Sequence, residues 1–177
     1  MNLVKDRVLG IQIRSIDPNY TGPKYLTLTI DKLRQSFYGD HSIVPDSIAK
    51  LSCIFNVFQV DFSKTYTKPV LVTEGPFDAF LLPNCIAIAG AAKNFGMNFP
   101  FWYIYDNDAT GTEHALDALS KGYKVFMWKK FKEDYCLPNK KKWDVTDVMK
   151  YLRDHPTDKK LLWSPYFTND RLNGLYL

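Results

Sequence analysis

The chain has 177 residues, 46% of them hydrophobic and 24% charged, enough to bury a core and too apolar for a disordered segment. Its three cysteines, Cys53, Cys85 and Cys136, are too scattered for a disulfide framework or a paired CxxC zinc site, and no apolar run approaches the ~18 residues of a membrane span. A soluble protein of a reducing cytosol is expected. The net charge of +4 divides unevenly along the chain: residues 1–73 carry +3, residues 74–120 carry −5 and residues 121–177 carry +6. An acidic island between basic flanks suits metal ions that meet a polyanion, or else simple segregation of charge on a solvated surface.

In chain order, RVLGIQIRSI alternates around β-branched residues and predicts a strand over 7–16. The turn-rich DPNYTGPKY separates it from a second strand, LTLTI. SIAKLSCIFNVF predicts a short helix joining this β-rich piece to the larger C-terminal part of the chain. From residue 69 the pattern changes. PVLVTEG is an apolar run closed by Glu74 and Gly75, as a buried parallel strand with a functional end would be. FDAFLL comes next as a short helix, then a second apolar run, CIAIAG, stops at Gly90, and AAKNFG reads as a loop or short helix. A third run, FWYIYDND, ends in carboxylates. TGTEHALDALSKG predicts a helix capped by Thr110 or Thr112, with Leu116 and Leu119 on one face and Gly122 as its stop. YKVFMW is a fourth strand, and 146–153 predicts a final helix. Strands alternating with helices predict an α/β fold, a mostly parallel sheet flanked by helices, behind a small β-rich N-terminal lobe. The expected division is 1–66 for the small basic lobe and 67–177 for the α/β lobe with its tail. WSPYFTNDRLNGLYL, at the C-terminus, is apolar enough to pack on this core or on a partner.

Ligands of open α/β sheets bind at the carboxyl ends of the parallel strands, and this chain places its acids there. Glu74 ends the first strand, Asp106 and Asp108 end the third, and Asp144 comes after the fourth, beyond a basic loop. Asp106 and Asp108 stand two apart, so an extended backbone would point both side chains the same way. Converging carboxylates repel unless a positive charge compensates, and hard divalent cations such as Mg²⁺ or Mn²⁺ do so with oxygen ligands. Taken singly, each acid also reads as a loop or cap residue. The segment 121–142 holds eight lysines interleaved with Trp128, Phe131 and Tyr135 and followed by Trp143. It reads equally as a nucleic-acid track or a solvated loop. His41, His114 and His155 are isolated and read as ordinary surface or core residues.

VLVTEGPFDAFLL, the apolar strand ending in Gly90, YIYDNDATG and WDVTDVMKYL together resemble the Toprim domain of bacterial-type DNA primases, topoisomerases and small nucleases. The resemblance implies an EGxxD pattern at Glu74 and Asp78, and a DxD pair at Asp106 and Asp108 followed by Gly111. In front of it, VLGIQIRSID, GPKYLT and RQSFYGD resemble the N-terminal subdomain of bacterial and phage primase cores. Gly10 and Arg14 lie on one strand there, then Pro23, Lys24 and Tyr25, then Phe37, Tyr38 and Gly39. The last acidic motif, Asp144 to Asp147, departs from the bacterial spacing toward the phage form. That makes Asp144 a ligand candidate and leaves Asp147 open, either a ligand or a solvent-facing residue of the helix.

The resemblance implies a metal-dependent primase core that makes short RNA primers on a single-stranded DNA template from ribonucleoside triphosphates. It further implies a setting in a bacterial or phage-infected cell, beside a replicative helicase. The zinc-binding module usual in bacterial primases has no cysteine set here. Glu74, Asp106 and Asp108 are the expected catalytic residues, with Asp78 and Asp144 completing the set around Mg²⁺ or Mn²⁺. Glu74 is alternatively a general acid or base. Arg14, Lys24, Lys32, Arg34 and Lys93 are expected on phosphates, and Tyr25 and Tyr38 either stack on bases or pack into the lobe. Two other readings use the same residues: a Toprim nuclease, and a catalytically silent module that binds nucleic acid or a replication partner.

Overall fold

The computed structural model describes residues 2–4, 7–23, 25–64, 68–88 and 99–177. Its elements, in order, are β1 (Asn2–Val4), β2 (Arg7–Arg14), β3 (Tyr25–Thr29), α1 (Ile30–Tyr38), α2 (Asp46–Ser52) and β4 (Ile54–Phe55). They continue with β5 (Leu71–Thr73), α3 (Pro76–Phe80), β6 (Cys85–Ile88), β7 (Trp102–Ile104), α4 (Ala109–Ser120), β8 (Lys124–Phe126), α5 (Trp128–Asp134), α6 (Val145–Asp154) and β9 (Phe167–Thr168). The strand expected over 7–16 ends at Arg14, and the helix expected over 47–58 ends at Ser52, where Ile54 and Phe55 turn into a strand instead.

Two sheets result. β1, β2 and β3 form a three-stranded antiparallel sheet, and the other six strands run in the order β4-β6-β5-β7-β8-β9. β5 pairs in parallel with both β6 and β7, and β7 with β8, while the short β4 and β9 close the two edges antiparallel. This is the mixed α/β architecture read from the sequence, with a mostly parallel sheet flanked by helices. The C-terminal tail packs on the core, since Phe167 and Thr168 pair with Phe126 and Val125.

Strand alternation divides the core between the two faces of the large sheet. Leu71, Cys85, Ala87, Ile104 and Phe126 face α3, α5 and α6 with Trp128, Phe131, Trp143, Val145 and Val148. Val72, Ile86, Tyr103 and Val125 face α4 through Ala115, Ala118 and Leu119, together with Ile54, Val57 and Phe101. Leu119 is buried as its spacing implies, but Leu116 is half exposed, because the sheet covers a narrower stripe of α4 than the pattern allowed. Among the described residues no helix is long and apolar enough to cross a membrane.

The small sheet reaches the large one at Gly10. A Cβ there would lie 2.3 Å from the Ser52 carbonyl oxygen, so only glycine lets β2 press against the end of α2. This contact fixes the strand that carries Arg14 relative to the core.

The first face of the sheet is dominated by aromatic packing. Phe131 is fully buried, stacked on Trp163 at 5.0 Å with an interplanar angle of 11°, and edge-on to Tyr166 at 5.0 Å. Phe131→Ala is therefore expected to cost about 3–5 kcal/mol in denaturant unfolding, whereas Phe37→Ala, at a position 70% exposed, should stay within about 0.5 kcal/mol.

Candidate active site

Three parallel strands that end on the same edge bring the acids together. Glu74 and Asp106 come after neighbouring strands, β5 and β7, and the backbone N–H of Asp106 donates to Glu74 Oε1 at 3.2 Å. Asp106 and Asp108 do not continue the strand, which stops at Ile104. They enter a tight turn instead, closed by Gly111, where a Cβ would sit 1.9 Å from the Asp106 carbonyl oxygen. The expected threonine caps of α4 are not used. Asp108 is the N-cap, and its Oδ1 accepts from the Gly111 N–H at 2.9 Å. Asp144 caps α6 in the same way, accepting from the Asp147 N–H at 2.6 Å. An aspartate fits both positions because its oxygen satisfies an unpaired helix N–H and its charge meets the positive end of the helix.

Asp78 stands on α3, only 7% exposed, and its Oδ1 accepts from both the backbone N–H and the hydroxyl of Thr146, at 2.9 and 2.8 Å. It ties α3 to the first turn of α6. Burial pushes its carboxyl up to about 6, the Thr146 bonds opposing and the nearby Asp144 adding to the rise. Burial also raises Glu74, reinforced by Asp106, and raises Asp106 itself. Asp108 moves the other way: burial is outweighed by hydrogen bonds from Lys142 and Gly111.

The positive charge among these acids comes from the lysine-rich segment. Lys142 Nζ lies 2.6 Å from Asp106 Oδ2 and 2.8 Å from Asp108 Oδ2. Lys140 pairs with Asp147 at 2.6 Å, and Lys132 donates to Asn107 Oδ1 at 2.8 Å. Of the aromatics from Trp128 to Trp143, Tyr135 is half-buried and the other three are not free to stack on bases. Trp128, Phe131 and Trp143 are each 3% exposed or less and belong to the core.

A cleft of about 610 Å³ opens over this rim, lined by Glu74, Asp78, Asp106 and Asp144 and by Arg14 and Tyr25 of the small sheet. The Arg14 guanidinium lies over the Tyr25 ring at 5.5 Å and over Phe77 at 5.2 Å, which links β2 and β3 to the first turn of α3. Burial raises the Tyr25 hydroxyl, while Arg14 opposes that shift. Of the other predicted phosphate contacts, Arg34 is turned to Asp40 and Ser42 on its own lobe, with its Nε 2.9 Å from Asp40 Oδ2. Lys32 is exposed on α1, and neither it nor Arg34 lines the cleft. Tyr38 is 82% exposed and outside it as well. Lys24 and Lys93 lie outside the described residues, as do Gly90 and Gly96.

His114, read from the sequence as an ordinary residue, and Lys142, read only as one lysine of the 121–142 segment, also line the cleft. His114 packs against Tyr105 with ring centroids 5.6 Å apart and interacts electrostatically with Glu74. Its place is legible only as the residue six beyond the Asp108 cap, on the helix that begins at the rim.

Among the described residues no three His, Cys, Asp or Glu side chains are gathered into a ready-made metal-ligand group. The donor chemistry nevertheless fits a hard cation: all the rim ligands are carboxylate oxygens, and two of them already hold a positive charge between them, the Lys142 ammonium.

No family model and no curated protein matches this sequence. Among solved structures it is similar to the zinc-binding and RNA polymerase domains of the Aquifex aeolicus primase, at 16% identity and a TM-score of 0.45. The alignment covers 84% of this chain and 37% of that one, so this chain spans little more than a third of its length.

The raised Asp78 gives a signed pH dependence. A carboxyl that titrates near 6 folded and near 3.8 unfolded favours the folded state most when protonated. Its contribution is therefore present at low pH and lost as pH rises from about 4 to about 6. Asp78→Asn should remove about 2–3 kcal/mol of this pH dependence, read as the difference between wild-type and variant stability curves from pH 4 to 7.

Proposed function

We propose that this chain is the catalytic core of a DNA primase of the Toprim type, which joins ribonucleotides on a single-stranded DNA template. One observation carries the reading: Glu74, Asp78, Asp106 and Asp144 line one cleft together with Arg14 and Tyr25, and Asp108 shares the Lys142 ammonium with Asp106 at its rim. Of the sequence motifs that resemble primase cores, Arg14, Tyr25, Glu74, Asp78, Asp106 and Asp144 all line that cleft, which supports a substrate that carries both phosphates and a base.

In the reaction, the 3′-hydroxyl of the growing primer attacks the α-phosphorus of a ribonucleoside triphosphate. An O–P bond forms, the bond from the α-phosphorus to the β-bridging oxygen breaks, and pyrophosphate leaves. Arg14 would hold a phosphate in the cleft, since its guanidinium offers paired donors and packs over two rings. Tyr25, which Arg14 packs over, would offer its ring to a base in the same cleft. Glu74, whose proton affinity is raised by burial and by Asp106, would take the hydroxyl proton where it does not serve as a metal ligand. Glu74, Asp106 and Asp108 would hold Mg²⁺ or Mn²⁺, with Asp78 and Asp144 behind them, each already committing one oxygen to a helix terminus. A divalent ion there supplies charge stabilisation for the attacking and leaving oxygens. In a cell this activity belongs beside a replicative helicase that exposes the template.

The test is incubation of the protein with single-stranded DNA, the four ribonucleotides and Mg²⁺ or Mn²⁺. Short RNA products are expected, and Asp106→Ala with Asp108→Ala should reduce them at least ~100-fold while DNA binding, measured by anisotropy, persists. Template fragments without new RNA would replace this reading by a nuclease. DNA binding without either product would leave a non-catalytic binding module.

A further inference from the structure

The segment that carries Lys140, Lys141 and Lys142 is docked onto the acidic rim by its backbone as well as its charges. The N–H of Asn107, between the two aspartates, donates to the Trp143 carbonyl oxygen at 2.7 Å. The Trp143 ring, 2% exposed, anchors that end of the segment in the core. One residue earlier, the Lys142 side chain is 47% exposed and places its ammonium between Asp106 Oδ2 and Asp108 Oδ2, at 2.6 and 2.8 Å. The backbone is fixed and the charged end is not: a flexible four-carbon stem carries a strongly hydrated ammonium that can return to water.

A divalent cation bound by those two oxygens and the ammonium cannot share the position. Contact distances of 2.6–2.8 Å leave no room for a second cation, and like charges at that separation repel. We propose that Lys142 is the resident counter-cation of the Asp106–Asp108 pair, and that a divalent ion reaches the pair only by displacing it, so that Lys142 sets the metal affinity of the site. The inference rests on the reading above, that these carboxylates hold a divalent ion. Lys142 acts through the aspartates and is a positioning residue rather than a catalytic one. The exchange also accounts for how a rim of mutually repelling acids keeps its shape before an ion arrives, since one ammonium satisfies two of them.

The experiment is calorimetric titration of the whole chain with Mn²⁺ alone, without nucleotide or DNA. Lys142→Gln should bind Mn²⁺ about three- to tenfold tighter than wild type, because no resident charge has to leave. Lys142→Arg, which keeps a cation on the pair, should stay within about twofold of wild type. Lys140→Gln removes the same charge from the same segment but from a different partner, Asp147, and should also stay within about twofold. Unchanged or weaker binding by Lys142→Gln, with wild type binding normally, overturns the exchange and leaves the proposed function standing. An equal gain in Lys140→Gln overturns it in favour of bulk charge. If neither wild type nor Lys142→Gln binds Mn²⁺, the divalent-ion reading falls and this inference with it.

Discussion

Mutual repulsion among carboxylates at the edge of one parallel sheet is the constraint around which this molecule is arranged. Parallel strands must all end on the same side, so acids placed after β5 and β7 are forced into one another's field. The fold does not neutralise them in one way. Asp108 and Asp144 are bound to the first turns of α4 and α6, where helix N–H groups donate to their carboxylates. Asp78 is sunk below the surface on two Thr146 donors, and Glu74 takes the Asp106 N–H. A full counter-charge reaches Asp106 and Asp108, from Lys142. Burial still raises Glu74, Asp78 and Asp106, so the compensation is partial.

That partial compensation couples distant parts of the chain. Asp78 on α3 is tied to Thr146 on α6 across 68 positions of sequence, and Asp108 is tied to Lys142 across 34. The aromatic core beneath, built on Phe126, Phe131 and Trp143, holds the lysine segment and α6 against the sheet. The small antiparallel sheet is brought in at the Gly10–Ser52 contact, and Arg14 extends from it to lie over Phe77, beside Asp78. Packing at Gly10 lets β2, which carries Arg14, approach α2 closer than any side chain permits, and Gly111 does the same within the turn that holds Asp106 and Asp108.

Much of this was legible in the residues. Apolar runs closed by acids gave the parallel strands, and the acids themselves gave the carboxyl edge, since a buried strand has few other reasons to end in a charge. Other features were not legible. The short strands Ile54–Phe55 and Phe167–Thr168 take their state from the neighbours they pair with, and two residues carry no periodicity. Thr110 and Thr112 looked like the cap of α4 by residue type, yet the cap is Asp108, because the turn at Gly111 starts the helix earlier. The interleaved lysines and aromatics read equally as a nucleic-acid track or a solvated loop. In the fold they separate, aromatics inward and three of the lysines onto the rim.

By itself, the sequence determined that a mostly parallel α/β sheet forms and that its acids gather at one edge, because continuous apolar runs, the helices between them and the acids that close them are local features of the chain. Tertiary structure alone decided which cations meet those acids. Arg34 turns to Asp40 and Ser42 on its own lobe, while Lys142, one of three adjacent lysines, is the one seated between Asp106 and Asp108. Long charged side chains have no positional preference written in their neighbours. Their partners are set by the backbone that delivers them, and here that is the buried Trp143 and its hydrogen bond to Asn107.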